Sequence, residues 1–98
     1  MARLTAEVLR DGLRAAADIR NGKLPTPNEL EVAPVLSQWA VAEDVSGLPR
    51  LVGSVRRHPL LGNGWCTTSV VLAMAPDRTW ARTISRLYRL AEPLLAPK

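Results

Sequence analysis

Few residues in this 98-residue chain could do covalent chemistry, and they stand apart from one another. There is one Cys and one His. Cys66 and His58 could serve as nucleophile and base if the imidazole lay within hydrogen-bond reach of the thiol. The segment between them, Gly62-Asn63-Gly64, reads as a hairpin turn, and His58 stands before Pro59, as turn residues often do. The hydroxyls Thr67, Thr68, Ser69 and Ser85 fit solvent-facing strand positions. The carboxylate pairs Glu29/Glu31 and Glu43/Asp44 fall in loops, where they solubilise. One His and one Cys without ligand spacing do not make a metal site. No Lys-Ser/Thr follows the glycine turn, so it is not a phosphate loop. The expectation is a protein that is not an enzyme and takes no cofactor or metal.

The positive signal is cationic. Arg82, Arg86 and Arg89 are interleaved with Trp80 and Tyr88, and Arg56-Arg57 would approach them if neighbouring strands pair. Arginines beside aromatics can hold single-stranded nucleic acid by charge and stacking, or dock on an acidic protein patch. The same residues fit a solvated sheet face whose arginine stems cover apolar surface. Charge is unevenly placed. Residues 1–49 carry Arg3, Arg10, Arg14, Arg20 and Lys23 against seven acids, a balance of −2. Residues 50–98 carry eight basic residues against Asp77 and Glu92, a balance of +6. Such asymmetry points to an anionic partner for the second half. All but Lys23 and Lys98 of the basic residues are Arg, which suits bidentate contacts to carboxylate or phosphate and also follows from GC-rich coding.

The elements that must position these residues are legible from periodicity. The reading is a single α+β domain over 1–98: an N-terminal amphipathic helix (5–21), a proline-containing linker (23–34), a strand-rich region (35–90) and a short tail (91–98). Thr5 caps the helix, Val8, Leu9, Gly12, Leu13, Ala16 and Ile19 share one face, and Asn21-Gly22 ends it. Pro25 and Pro27 keep the linker extended, with room for one acidic turn over Asn28–Glu31. Val35–Ala42, Leu51–Val55, Trp65–Met74 and Thr79–Leu90 read as strands, with turns at Gly62–Gly64 and Pro76-Asp77. They make an antiparallel sheet of about four strands, with the helix across its apolar face. In the last run Trp80, Arg82, Ile84, Arg86, Tyr88 and Leu90 alternate; Trp80, Ile84, Leu87, Tyr88 and Ala91 also fit a helix, so strand and helix stay open there.

No run approaches the roughly 20 apolar residues of a membrane span, and the charged N-terminal stretch lacks the apolar core of a signal peptide. A cytoplasmic location is expected, as monomer or homodimer. Cys66 cannot form an internal disulfide; it reads as a packed or half-exposed thiol, with cross-linking of two copies as the alternative.

The second half resembles a set of small uncharacterised proteobacterial proteins that often occur near prophages and mobile elements. The residues that carry the resemblance are Gly53 to Leu61 with its His58-Pro59 turn, the Thr68-Ser69 pair, and Trp80 to Leu90 with its Arg82-Thr83-x-Ser85-Arg86-x-Tyr88 run. In size, compactness and lack of catalytic groups the chain also resembles small phage-encoded anti-CRISPR proteins, including inhibitors of type I effector complexes. That resemblance implies a non-enzymatic inhibitor that docks on a Cas subunit and blocks capture of target DNA. The partner-binding residues expected from the charge pattern are Arg56, Arg57, Trp80, Arg82, Arg86, Tyr88 and Arg89. The alternative is a small nucleic-acid-binding domain that uses the same face.

Overall fold

A computed structural model describes residues 5–95. Arg3, Lys98 and the last residues of the expected tail lie outside them. The first helix forms where its caps say it should. Thr5 is extended and its Oγ1 accepts from the Val8 amide at 3.1 Å, which starts α1 (Ala6–Arg20); Asn21 closes it onto the carbonyls of Ala17 and Asp18. The face that packs is narrower than the apolar stripe. Gly12 and Ala16 are buried, whereas Leu9 and Leu13 remain 38% and 51% exposed. The small residues meet the protein because they let the helix backbone come close. A Cβ on Gly12 would stand 2.4 Å from the Ile84 carbonyl oxygen.

The expected linker contains a second helix, α2 (Pro27–Val32). Thr26 accepts from the Glu29 amide and the Glu29 carboxylate accepts from the Thr26 amide, a reciprocal capping box with proline in the first turn. The two prolines do not keep this segment extended, because Pro27 stands at the first position of the helix, where an amide proton would have no intrahelical acceptor.

Five strands follow: β1 (Val35–Glu43), β2 (Pro49–His58), β3 (Gly62–Met74), β4 (Trp80–Thr83) and β5 (Leu87–Leu90). The architecture is α+β, but the sheet is not an open antiparallel one of four strands. It closes into a five-stranded barrel in the order β1-β2-β3-β4-β5, with β5 returning parallel to β1 through Val35↔Arg89 and Leu36↔Leu90. Closure removes the free edges that an open sheet would leave.

The extra strand comes from the Thr79–Leu90 run, which is neither one strand nor a helix. It folds back on itself between Thr83 and Leu87. No Gly or Pro marks this reversal. Thr83 makes it: its amide donates to the Arg86 carbonyl at 2.9 Å, and its hydroxyl both donates to that carbonyl and accepts from the Arg86 amide. Ser85 Oγ meets Ser69 Oγ at 3.0 Å and the Ile84 amide donates to Val70, tying the turn to β3. The run's period-2 alternation therefore ends at Thr83 and restarts in β5.

Inside the barrel Leu36, Trp39, Leu51, Val55, Cys66, Ala81, Tyr88 and Leu90 form one cluster. Strict alternation would have put Leu36 and Trp39 on opposite faces. A bulge between Ser37 and Ala40, with Gln38 at φ 50°, turns both inward. The bulge needs room on β2, and Gly53 provides it: a Cβ there would lie 2.9 Å from the Ser37 carbonyl oxygen and 3.1 Å from Trp39 Cα. The Trp39 indole donates to the Ala91 carbonyl at 3.0 Å, so residues after β5 continue along β1. Among the described residues no helix is long and apolar enough to cross a membrane.

Candidate functional site

The hairpin in β4 and β5 decides where the arginines and aromatics of the second half go. Ala81 pairs with Tyr88, and both point into the barrel, where Tyr88 is 2% exposed. Burial, with the neighbouring Cys66 adding to it, pushes the Tyr88 hydroxyl up to about 12. Tyr88 is therefore a core residue and not a stacking platform. Trp80 pairs with Arg89 and Arg82 with Leu87 on the outside, but this outside is largely covered. Trp80 is buried. Arg82 lies under the helices beside a cavity of about 250 Å³ bordered by Ala15, Ile19, Leu24, Glu29 and Leu87. It donates to the Thr83 and Ile84 carbonyls at 2.9 and 3.4 Å, and burial lowers its pKa, with Asp11 opposing that effect. Its guanidinium supports the β4–β5 turn.

Of the remaining arginines, Arg56 is exposed and Arg86 and Arg89 are half-buried. Register brings two of them together: Val35 pairs with Arg56 on one side and Arg89 on the other, so these flank it two strand spacings apart, about 10 Å. Arg57 is exposed but engaged. Its guanidinium donates to the backbone carbonyls of Glu31 and Ala33, satisfying the end of α2. Of the expected residues, Tyr88 thus lies inside the barrel and Trp80 and Arg82 are covered on its outside, while Arg56 and Arg89 stay in one outer row.

Trp65, not among the expected site residues, stands outside it. It is 61% exposed on β3, opposite Ser54, and one step along β2 on the same outer face is Arg56. A signal was available in the sequence. From Val45 to Pro76 there is no Asp or Glu, while Arg50, Arg56 and Arg57 lie within that span. The one tryptophan in this acid-free stretch is Trp65. Of the three arginines, Arg50 is partly neutralised by Asp44 at 3.0 Å. Asp44 is held below its ordinary value by the Leu48 amide and then by Arg50.

Cys66 and His58 do not form a nucleophile–base pair. Cys66 belongs to the core cluster, and burial pushes its thiol up, away from the nucleophilic thiolate. His58, 6% exposed, packs at 6.1 Å from the Tyr88 ring. Its Nδ1 accepts from the Leu60 and Leu61 amides at 3.1 and 3.0 Å, so the lone pair a base would use is occupied and the ring proton sits on Nε2. Burial lowers the His58 pKa, and the Arg86 charge lowers it further.

A pH response follows from this geometry. The unfolded chain takes up a proton near the ordinary histidine value of 6.5, and the folded chain resists doing so. Between those two values the unfolded state binds more protons, so stability must fall as pH falls. The contribution is fully present above 6.5 and is lost as pH drops below it. The urea midpoint should be lower at about pH 5 than at about pH 7.5, and His58→Gln should flatten that interval. An equal slope in the variant would assign the response to other groups.

The chain belongs to DUF6634, a family of unknown function, whose model matches residues 4–96. No curated protein and no solved structure matches it.

Proposed function

We propose that this member of a family of unknown function is a non-enzymatic binding module. Its contact surface is the outer face of β2 and β3, and its partner is an acidic protein surface. The observation that carries the reading is Trp65, 61% exposed, beside the exposed Arg56 on an acid-free stretch. Tryptophan and arginine are the side chains that most often dominate interface energy, and a tryptophan left in water has a large apolar area still to bury. Arg89, across Val35 from Arg56, extends the positive surface. The finer reading is an inhibitor that docks on a CRISPR effector subunit and blocks target DNA capture. It rests on the resemblance in size and compactness. A basic module of this kind would reach an acidic face of the subunit; it would not imitate DNA.

One observation favours a second reading, single-stranded nucleic acid. The Trp65 ring face can stack on a base while Arg56 meets the phosphate. Two experiments separate the readings. Fluorescence anisotropy with labelled DNA and RNA, at about 50 and 200 mM salt, should show micromolar binding that falls steeply with salt if nucleic acid is the ligand. Co-elution with purified type I effector subunits, without oligonucleotide binding, supports the protein partner. In either case Trp65→Ala with Arg56→Glu should weaken binding by about tenfold to a hundredfold while leaving the urea midpoint within error. Full retention of binding in that double variant would remove this face from consideration.

A further inference from the structure

The tip of the β2–β3 hairpin carries apolar side chains that the barrel does not use. Leu60 is 62% exposed and Leu61 44%, and every residue from Pro59 to Trp65 is exposed. The tip projects beyond the neighbouring strand: β1 begins at Val35, opposite Arg56, and β2 runs on to His58 without it. An apolar tip in water is ordinarily loose, but this one is held. His58 Nδ1 takes the Leu60 and Leu61 amides, and Asn63 Oδ1 takes the Arg57 amide at 3.1 Å. The two leucines are therefore presented in a fixed geometry, with Trp65, Arg56 and Arg57 at the base.

We propose that this hairpin is a peripheral membrane anchor for an anionic lipid surface. Leu60 and Leu61 enter the boundary between headgroups and acyl chains. Trp65 lies at the level of the headgroups, where amphipathic rings settle. Arg56 pairs with lipid phosphates and keeps its stem against the apolar layer. Charge complementarity supports this occupant, because the hairpin has no acid to repel an anionic surface. Glu31, whose carbonyl receives Arg57, is the opposing charge on the adjoining helix. The proposal goes beyond the binding face described above: it shares Arg56 and Trp65 with that face, but its ligand and its two leucines are different.

The test is flotation of the full chain with vesicles of phosphatidylcholine alone and of phosphatidylcholine with about one-third phosphatidylglycerol. Trp39 and Trp80 are 4% and 8% exposed, so a change of emission on binding reports Trp65. The chain should float with the anionic vesicles, and its emission should move to shorter wavelength. Leu60→Ser with Leu61→Ser should reduce partitioning by about tenfold or more. Leu60→Trp should increase it with the urea midpoint unchanged, which separates the effect from misfolding. Absence of binding to anionic vesicles overturns the proposal; a tip shaped for a protein pocket gives that result. Binding that the double serine variant retains in full also overturns it, since charge alone would then suffice. Oligonucleotide and subunit binding by the serine variant should be unchanged, so loss of the lipid arm leaves the binding module standing, and the reverse holds.

Discussion

Gly12→Ala should destabilise the protein, although it introduces the best helix former into a helix. In an isolated helix the change would gain about 1 kcal/mol. Here the added Cβ would stand 2.4 Å from the Ile84 carbonyl oxygen and 3.0 Å from Ile84 Cα. Those are backbone atoms, so no rotamer change relieves the contact. Nor can the strand turn retreat freely, because Thr83, Ser85 and the Ile84 amide hold it in place. The helix must lift instead, and overpacking of this kind costs about 3 kcal/mol at the upper end of its usual range. The net expectation is a loss of about 2 kcal/mol, read as a lower urea midpoint with an unchanged denaturant slope. A raised midpoint would mean that α1 does not rest on the β4–β5 turn.

Leu36→Ala should have the larger effect. Leu36 is fully buried, and it is the residue of β1 that pairs with Val55 of β2 on one side and Leu90 of β5 on the other. Truncating a buried leucine costs about 2–5 kcal/mol, more where the surroundings cannot collapse. A barrel wall held by hydrogen bonds on both flanks collapses poorly, which places the expectation near the upper end. A domain of this length has about 5–15 kcal/mol in all. The variant should lose much of its unfolding free energy in urea. Exchange of the Arg89 and Ala91 amides, which donate to Pro34 and Leu36, should also accelerate more than that of the β2–β3 ladder. Uniform acceleration would show that closure and hairpin open together.

The sequence revealed what depends on local pattern. The Thr5 cap, the Asn21-Gly22 stop and the β1 start at Val35 all follow from side chains acting on neighbouring backbone. The Thr26-Pro27-Asn28-Glu29 capping box is equally local, but the prolines on either side of Thr26 mask it, because proline is also the mark of an extended linker. The Thr83 turn was not legible, because its hydroxyl replaces the Gly or Pro that usually signals reversal and its second support, Ser69, is distant in sequence. The reversal at Thr83 takes Tyr88 out of the expected Arg and aromatic face and leaves Trp80 covered. Tyr88 and Trp80 alternate with arginines in the chain, but a chain that doubles back buries one in the barrel and the other on its wall. Trp65 is not legible for the opposite reason: a strand tryptophan reads as core until the partner strand shows which way it points.

The parallel contact between β1 and β5 has a consequence for the order in which the molecule can assemble. It joins Val35 to Arg89 and Leu36 to Leu90, whereas β1, β2 and β3 are linked by successive hairpins. Contacts between residues so far apart carry the largest loop-closure penalty and form last. During synthesis the first four strands emerge as a sheet with two bare edges, and β5 is the piece that conceals both. Until Leu90 has left the ribosome, a nascent chain therefore resembles an edge-to-edge aggregation template more than a finished domain. Its safety then rests on how quickly the last strand arrives.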